Sequence, residues 1–168
     1  LYLVQGRVAP QFSPIDFGLG EKLVVQAMNR IVASDTDQFA QQVKSEGDIG
    51  KAIEKALPNR ESDLTLITVF STLQAITRQS GNGSQDAKLE LLSQLVQQAD
   101  PLSARYIVRI PVGKLRMGFS EMTLLDGLSW MLVGDKSLRK RIEAAYQVLP
   151  DIGHIGMILK KDGIQGID

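Results

Sequence analysis

Two turns in this sequence combine glycine, serine and basic residues, the types that hold phosphate through backbone N–H groups and positive charge. The first, called here the Gly113 turn, precedes Ser120 and consists of Gly113, Lys114, Leu115, Arg116, Met117 and Gly118. Gly113 can end a helix in the left-handed conformation, and Gly118 allows close backbone approach. Ser120 can cap the next helix, whose first N–H groups carry a positive dipole end. We therefore predict phosphate contacts from Lys114, Arg116 and this helix start.

The Gly113 turn belongs to a longer basic stretch. From Pro101 to Gly118 the chain has four basic residues and no acidic one, although lysine and arginine together equal aspartate and glutamate overall, at 19 each. The four are Arg105, Arg109, Lys114 and Arg116. Phosphate binding and pairing with acidic residues elsewhere in the fold both explain this excess, and the sequence leaves both open. Leu115 and Met117 are expected to face the core.

The second turn, called here the Gly81 turn, consists of Gly81, Asn82, Gly83 and Ser84, with Lys88 one helical turn later. It is a weaker form of the same phosphate site, and a flexible connection between two helices is the alternative. If both turns lie on one face, they can grip a duplex across its minor groove, reading shape and charge and not base sequence. The predicted DNA contacts are Gly81, Gly83, Ser84, Lys88, Gly113, Lys114, Arg116, Gly118 and Ser120.

Other charged or aromatic residues are predicted to have structural roles. A third basic cluster would spread over more than one helix face and is expected to be mostly solvated; it consists of Lys136, Arg139, Lys140 and Arg141. His154 is the single histidine in a chain without cysteine, so no metal site is expected there. Trp130 is expected to anchor the core.

One short segment matches a catalytic pattern out of context. Residues 160–163 read Lys-Lys-Asp-Gly, which fits the K-x-D-G pattern of nucleotidyltransferases, whose lysine takes up AMP. That lysine needs a strand-rich pocket and further motifs downstream. We interpret the segment as a helix end followed by Gly163. We predict no catalytic residue in this chain, which also lacks a Walker-type phosphate loop.

The elements that carry the two turns are predicted to be helices. Aromatic residues make up 5% of the chain, so its core must be mainly aliphatic, whereas strands favour β-branched and aromatic residues. Apolar residues recur at helical spacing in 66–76, 89–96 and 124–132. We predict eight or nine helices, including 64–78 and 84–99, with Pro111 ending one of them. The predicted caps are Asp35, Ser84, Asp100, Ser120 and Asp135.

A faint internal repeat relates two of the predicted hairpins. The residue types at positions 84, 89, 90, 92, 93 and 96 recur at 120, 125, 126, 128, 129 and 132, each time after a glycine-containing turn. Coincidence between two leucine-rich helices is the alternative. No linker-like stretch divides the chain. The predicted fold is therefore one all-α domain over residues 1–168, a compact multi-helix bundle with an internal pseudo-two-fold repeat of helical hairpins.

Composition excludes several classes of protein. Hydrophobic residues make up 43% and charged residues 23%, which is typical of a folded domain. A formal net charge of zero argues against a protein that coats nucleic acid through its overall charge. No apolar run is long enough to span a bilayer, and no secretory signal opens the chain. Because the first residue is Leu1, we expect that the natural protein begins earlier and that this is a fragment.

Several sequence blocks, in this order, resemble the N-terminal DNA-binding domain of ATP-dependent DNA ligases. Together they cover nearly the whole chain, and their joint order is more specific than any one of them. The blocks are residues 2–7 with 9–10, 18–23, 81–88, 99–106, 113–118, 141–146 and 151–153.

The resemblance implies a helical bundle that holds the minor groove of nicked duplex DNA through helix-connecting turns, among them the Gly81 and Gly113 turns. It implies a parent enzyme that uses ATP and Mg²⁺ to join the nick, in replication, repair and recombination. An N-terminal helix and the downstream adenylation and OB-fold domains would be missing here. The chain itself would be non-catalytic and hold no cofactor. An intracellular location follows, cytoplasmic with the nucleoid in a prokaryote or nuclear in a eukaryote.

Two departures from the family pattern bear on these expectations. Pro111 stands just before the Gly113 turn and alters how the chain enters it. Some relatives carry a motif with paired aromatics in this domain that binds a sliding clamp. The loop Leu57–Asp63 shows no such motif, so a sliding clamp is a possible partner for which the sequence offers no motif. The competing hypothesis is a helical scaffold that binds protein and not DNA, which predicts a sizeable exposed apolar patch.

Overall fold

The computed structural model describes residues 1–32, 36–115, 117–118 and 120–167, with the backbone only for residues 36 and 37. The chain divides into two compact units by the contacts within each. They are named for their places in the sequence alone: the inner unit is residues 15–115, and the outer unit is residues 1–14 together with 116–168. Over the described residues the secondary structure is entirely helical, which confirms the all-α prediction. The single domain and the pseudo-two-fold repeat stay predictions.

Within its described residues the inner unit contains six α-helices. Asp100 caps the sixth by accepting a hydrogen bond of 2.9 Å from the Ser103 N–H, and Pro101 occupies its first position, as predicted. Pro111 follows its end, also as predicted. The helices are α1 (Glu21–Ile31), α2 (Thr36–Glu46), α3 (Ile49–Ala56), α4 (Leu66–Arg78), α5 (Ser84–Gln98) and α6 (Pro101–Arg109).

The core of the inner unit is aliphatic, as its composition requires. Helices α3 and α6 make its closest pairing, since a side chain on Gly50 would lie 2.6 Å from the Arg105 carbonyl oxygen. Burial of aliphatic side chains from these helices removes apolar area from water and stabilises the unit. The side chains with almost no exposed surface are Val24, Met28, Phe39, Ile49, Ile53, Leu73, Ile76, Leu92 and Val96.

In the part that the structure describes, the outer unit contains three α-helices and two 3₁₀ turns. They are the turn Tyr2–Gln5, α7 (Glu121–Val133), α8 (Arg139–Val148), α9 (Ile152–Asp162) and the turn Gly163–Ile167. Its buried core is formed by Leu125, Leu128, Ile142, Tyr146, Ile152, Ile155 and Leu159. Tyr2 packs on α9 where a side chain at Gly153 would overlap its ring, and its hydroxyl donates to Asp151 at 2.5 Å. Residues 160–162 end α9 and are followed by Gly163, as predicted.

Two predictions about burial are wrong. Trp130 is 56% exposed and does not anchor the core. Helix α7 is apolar on nearly every face, so helical spacing does not reveal which face packs, and Leu125 with Leu128 takes the buried positions. Met117 is 45% exposed, because alternation inside a turn does not fix side-chain direction as a strand does. Leu115 is only half-buried.

Two of the predicted helix caps are also wrong, and one lies beyond the structure. Ser84 lies inside α5, and Gly83 occupies the N-cap position. Asp135 accepts a hydrogen bond of 2.8 Å from the Ser137 N–H and closes a turn, while α8 begins later, after Leu138. Short polar residues bind nearby N–H groups in turns as readily as at helix starts. Asp35 lies outside the described residues. None of the described helices is long and apolar enough to cross a membrane.

Candidate nucleic-acid interface

The Gly81 turn presents exposed backbone at the start of α5. Gly81 and Gly83 have φ values of 82° and 77°, in the left-handed region that glycine tolerates best. A side chain added at either glycine would meet no atom within 4 Å, so both face open space. No described side chain caps α5, and apart from the Ser84 N–H, which donates to the Gly81 carbonyl oxygen at 3.2 Å, its first-turn N–H groups can face an anion. The two glycines thus make an open, unobstructed corner at a positive helix end.

Lys88 has a structural partner that its sequence context did not indicate. Its ammonium group donates a hydrogen bond of 2.8 Å to the Phe17 carbonyl oxygen and lies against Gly18, where an added side chain would come within 3.0 Å of it. Lys88 therefore ties α5 to the segment that enters α1. Its predicted contact with phosphate remains a prediction.

The Gly81 turn also carries a negative charge. Asp86 is exposed in the first turn of α5, where it interacts favourably with the helix dipole but repels a phosphate approaching the same N–H groups. With Lys88 directed to Phe17, the positive potential of this turn comes mainly from the backbone.

The first half of the Gly113 turn belongs to the inner unit and closes the end of α6. The Lys114 N–H donates to the Arg109 carbonyl oxygen at 2.9 Å, and the Gly113 N–H donates to that of Ile110 at 3.1 Å. Gly113 has a φ of 67°, in agreement with its predicted left-handed conformation after the helix. These bonds satisfy the last carbonyl groups of α6 and fix where Lys114 leaves the backbone.

Lys114 is paired but remains accessible. Its ammonium group lies 2.6 Å from a carboxylate oxygen of Glu21, the first residue of α1, and the two side chains are 41% and 35% exposed. The pair is open to solvent on both sides, so it is weak compared with a buried pair. Lys114 can therefore exchange its partner without burying an unpaired charge.

The other arginines of the basic stretch are held inside the inner unit. Arg109 makes a two-point ion pair with Asp48, at 3.0 Å and 2.8 Å, with the side chains only 5% and 4% exposed. Arg105 pairs with Glu54 at 2.9 Å and is about one quarter exposed. Pairing with acidic residues, one of the two explanations left open by the sequence, therefore accounts for both arginines. Arg116 lies outside the described residues.

The second half of the Gly113 turn belongs to the outer unit and leads into α7. Gly118 has a φ of 74° and open space around its Cα, and Ser120 is the N-cap residue of α7, as predicted. The Ser120 hydroxyl does not cap the backbone; it lies 3.4 Å from the Thr123 hydroxyl. The first N–H groups of α7 are therefore left uncapped by the side chain, like those of α5.

A carboxylate beside the start of α7 is held by neutral donors. The Gln5 amide donates to Glu121 at 3.3 Å, and the Tyr146 hydroxyl donates to the same carboxylate. Burial, followed by this hydrogen bond, raises the pKa of Tyr146 to about 12. Glu121 therefore has fixed partners within the outer unit and differs from Glu21, whose partner is a cation.

Both candidate lysines of the inner unit attach to the same short segment, residues 17–21. Lys88 bonds its beginning at Phe17, and Lys114 pairs with its end at Glu21. Gly20 and Lys22 in and beside this segment are exposed. Residues 18–23 are among the blocks that carry the family resemblance, but no contact was predicted there.

The third basic cluster makes ion pairs on the surface of the outer unit. Lys136 lies 2.8 Å and Arg139 3.4 Å from Asp126, whose pKa is lowered chiefly by the hydrogen bond from Lys136. Arg139 also approaches Glu143, at 3.9 Å. These pairs reduce the net positive potential of the cluster, so it is not added to the candidate interface.

A groove of about 450 Å³ lies between α1 and α5 in the inner unit. Asp86 and Glu90 line it together with Arg30, so its charge is unsuited to phosphate. Within the described residues no three histidine, aspartate or glutamate side chains converge on a metal-sized site.

The chain is thus an all-helical protein whose open helix starts and accessible lysine lie in helix-connecting turns. It belongs to the DNA ligase N-terminal family, since the family model described as DNA ligase N terminus matches residues 1–129. It is 40% identical over 99% of its length to a probable DNA ligase of Dictyoglomus turgidum and 37% identical over 100% to DNA ligase 2 of Korarchaeum cryptofilum. It is 32% identical over 99% to a probable DNA ligase of Aquifex aeolicus. The chain spans 29% of the length of each.

Proposed function

We propose that this chain binds duplex DNA without sequence preference and positions a nick for the catalytic part of a longer DNA ligase. The observation that carries the proposal is the pair of uncapped helix starts, each preceded by exposed glycines of positive φ, in a member of the DNA ligase N-terminal family. Backbone N–H groups at such positions bind phosphate and do not read bases.

In this proposal both turns contact backbone phosphates of one duplex across its minor groove. The Gly81 turn supplies backbone N–H groups, and the Gly113 turn supplies Lys114, Arg116 and the N–H groups after Ser120. The zero net charge of the chain is compatible with this, because buried or paired residues such as Arg109 and Asp48 contribute nothing to the field at a surface turn.

The bond-forming chemistry would reside in the part of the ligase beyond this chain. That part would use ATP and Mg²⁺, transfer AMP to the nick and close the phosphodiester, in replication, repair and recombination inside the cell. The contribution of this chain would be binding energy and alignment of the two DNA ends, so that the reacting groups are held in a fixed geometry. Its partners would be nicked duplex DNA and the other domains of the same ligase.

Fluorescence anisotropy with a labelled nicked duplex tests the proposal. The titration is repeated over a salt series from about 50 to about 300 mM, which brackets physiological ionic strength. Affinity should fall steeply with salt and should be the same for unrelated sequences. Replacing both Lys114 and Arg116 with alanine should weaken binding to every sequence alike and flatten the log–log salt slope by roughly two. Arg105→Ala is the matched control, because Arg105 pairs with Glu54 inside the unit. An unchanged affinity in the double variant would remove the Gly113 turn from the interface.

A helical scaffold that binds protein is the second candidate, and exposed apolar side chains favour it. Leu66 and Ile67 of α4 are 74% and 79% exposed, and Trp130 and Met131 of α7 are 56% and 51% exposed. Such side chains can mark interaction surfaces when they are contiguous. The same titration separates the candidates, since a scaffold would give no salt-dependent binding to DNA.

A further inference from the structure

The pair between Lys114 and Glu21 differs from the other pairs of the basic stretch. Arg109 and Asp48 are almost completely buried and share two hydrogen bonds, so separating them would leave a buried charge. Lys114 and Glu21 share one contact of 2.6 Å and are each more than one third exposed. Water and a phosphate can reach the ammonium group, so this pair can open without burying an unpaired charge.

Glu21 has a second favourable interaction that does not depend on Lys114. It is the first residue of α1, and the N-cap residue Gly20 has no side chain with which to cap that helix. A carboxylate in the first turn is stabilised by the positive end of the helix dipole. Glu21 would therefore keep a favourable position if the ammonium group of Lys114 turned to another anion.

A DNA phosphate and the Glu21 carboxylate compete for the same ammonium group. A phosphate oxygen within hydrogen-bond distance of the Lys114 ammonium would lie within roughly 5 Å of the carboxylate that is already bound there. Two like charges at that separation repel each other, so the two anions do not share the lysine equally. Binding of one favours departure of the other.

We propose that Glu21 acts as an internal substitute for a DNA phosphate, occupying Lys114 in the free protein and giving it up when duplex DNA binds. The inference rests on the proposed function, because it concerns the same lysine, and it assigns Glu21 as a residue that lowers the affinity of that site. An affinity limited in this way suits a nonspecific binder, which must leave one stretch of DNA to find the next. Glu21 also keeps the lysine paired while no DNA is present.

The decisive comparison is Glu21→Gln in the full chain, with binding to a nicked duplex measured by anisotropy across a salt series. We expect the Kd to fall about three- to tenfold at low salt, since Lys114 then neutralises a phosphate without losing a carboxylate. Glu54→Gln is the matched control, because Glu54 is a similarly exposed glutamate of the inner unit paired with Arg105. It should leave the Kd unchanged.

A double variant tests whether Glu21 acts through Lys114. In the Lys114→Ala background, Glu21→Gln should change the Kd by less than about twofold, because the competing pair no longer exists. A gain that persists without Lys114 would mean that Glu21 only repels DNA by its charge, and a loss of affinity in Glu21→Gln would mean that it holds Lys114 in the binding position. Either result overturns the inference.

Circular dichroism and thermal unfolding identify any variant that fails to fold. Glu21→Asp is a second test of the exchange, because it keeps the charge at the start of α1 but withdraws the carboxylate from Lys114. A Kd between those of the unaltered chain and Glu21→Gln supports the exchange. A Kd equal to that of the unaltered chain contradicts it. If the unaltered chain binds no nicked duplex at low salt, the proposed function fails. If it binds and Glu21→Gln changes nothing, only the exchange fails.

Discussion

The Gly81 and Gly113 turns resemble each other in sequence but present different chemistry. In the Gly81 turn the lysine lies on the helix and is directed to the Phe17 carbonyl oxygen, so the turn exposes bare backbone beside a negative Asp86. In the Gly113 turn the lysine lies within the turn and stays accessible on the surface, paired with Glu21. The comparison shows that the position of a cation relative to its helix decides whether it packs or remains available.

The two turns are also supported differently. The Gly81 turn joins α4 and α5, which pack against each other, and it contains two glycines of positive φ. The Gly113 turn follows α6, whose last residue is fixed by the buried pair of Arg109 with Asp48, and Asp48 also caps α3 through the Lys51 N–H at 3.0 Å. The Gly113 turn is therefore attached to the best-anchored corner of the inner unit.

Removal of that anchor should give the largest effect. Arg109→Ala leaves Asp48 buried without its cation and should destabilise the chain by about 3–5 kcal/mol. Urea unfolding followed by circular dichroism measures the change. Arg105→Ala is the control, since its pair with Glu54 is partly exposed and should matter much less. If the two variants unfold at the same urea concentration, the Gly113 turn has no special anchor.

The next effect separates the two lysines directly. Lys114→Ala should weaken binding to nicked duplex and reduce the salt slope by about one, with little loss of stability, because its partner Glu21 remains solvated. Lys88→Ala should do the reverse: it should lower stability by about 1–2 kcal/mol, through loss of the bond to Phe17, and leave the salt slope nearly unchanged. Parallel anisotropy and unfolding measurements on both variants check this. Equal salt slopes would abolish the distinction drawn between the turns.

Some helix ends of this protein could be predicted from its sequence, but the partners of its basic side chains could not. Helical spacing, the Asp100 cap and the helix end near Pro111 were predictable because they depend on residues close in sequence. The partners of Lys88, Arg109 and Lys114 were not, because they lie 71, 61 and 93 residues away in the chain. Charge counting detected the basic stretch but could not distinguish an arginine buried against Asp48 from a lysine left on the surface.

The exposure of apolar side chains could not be predicted from the sequence either. Trp130 was expected in the core because large aromatics usually pack there, yet the spacing within α7 fits more than one buried face. Which face packs depends on the following helices, α8 and α9, and the spacing of residues within α7 carries no information about where they pack. The position of Ser120 before α7 was predictable from its type, but the direction of its hydroxyl was not.

A third change tests whether the Gly81 turn depends on its glycines as a backbone site should. Gly83→Ala places a side chain at a φ of 77° and should destabilise the start of α5 by about 1–2 kcal/mol. Because the added methyl group meets no atom of the protein, any loss of DNA affinity beyond this would come from obstructing the approach of DNA. Thermal unfolding and anisotropy measure the two effects. Gly47→Ala is the control, since Gly47 has a φ of 62° and open space but lies away from both turns in sequence. The same loss of DNA affinity in the Gly47 variant would remove the special role of Gly83.

The smallest effect concerns the helix start after the Gly113 turn. Ser120→Ala should change stability by less than about 0.5 kcal/mol, because the Ser120 hydroxyl makes no bond to the backbone of α7. Asp100→Ala, at the start of α6, should lower the free energy of unfolding by about 1 kcal/mol, since Asp100 accepts from the Ser103 N–H.

The Ser103 hydrogen bonds lower the pKa of Asp100 below its usual value. The stability that this cap contributes is therefore present above the pKa of Asp100 in the unfolded chain and is lost as the pH falls through the pKa in the folded chain. Unfolding measured at neutral and acidic pH should therefore bring Asp100→Ala closer to the unaltered chain in acid, while Ser120→Ala keeps the same small difference throughout. A loss of stability in Asp100→Ala that does not change with pH would mean that the cap does not act through the ionised carboxylate. A loss of stability of about 1 kcal/mol in Ser120→Ala would mean that the Ser120 side chain caps α7 after all, and that the start of α7 is less open to phosphate than that of α5.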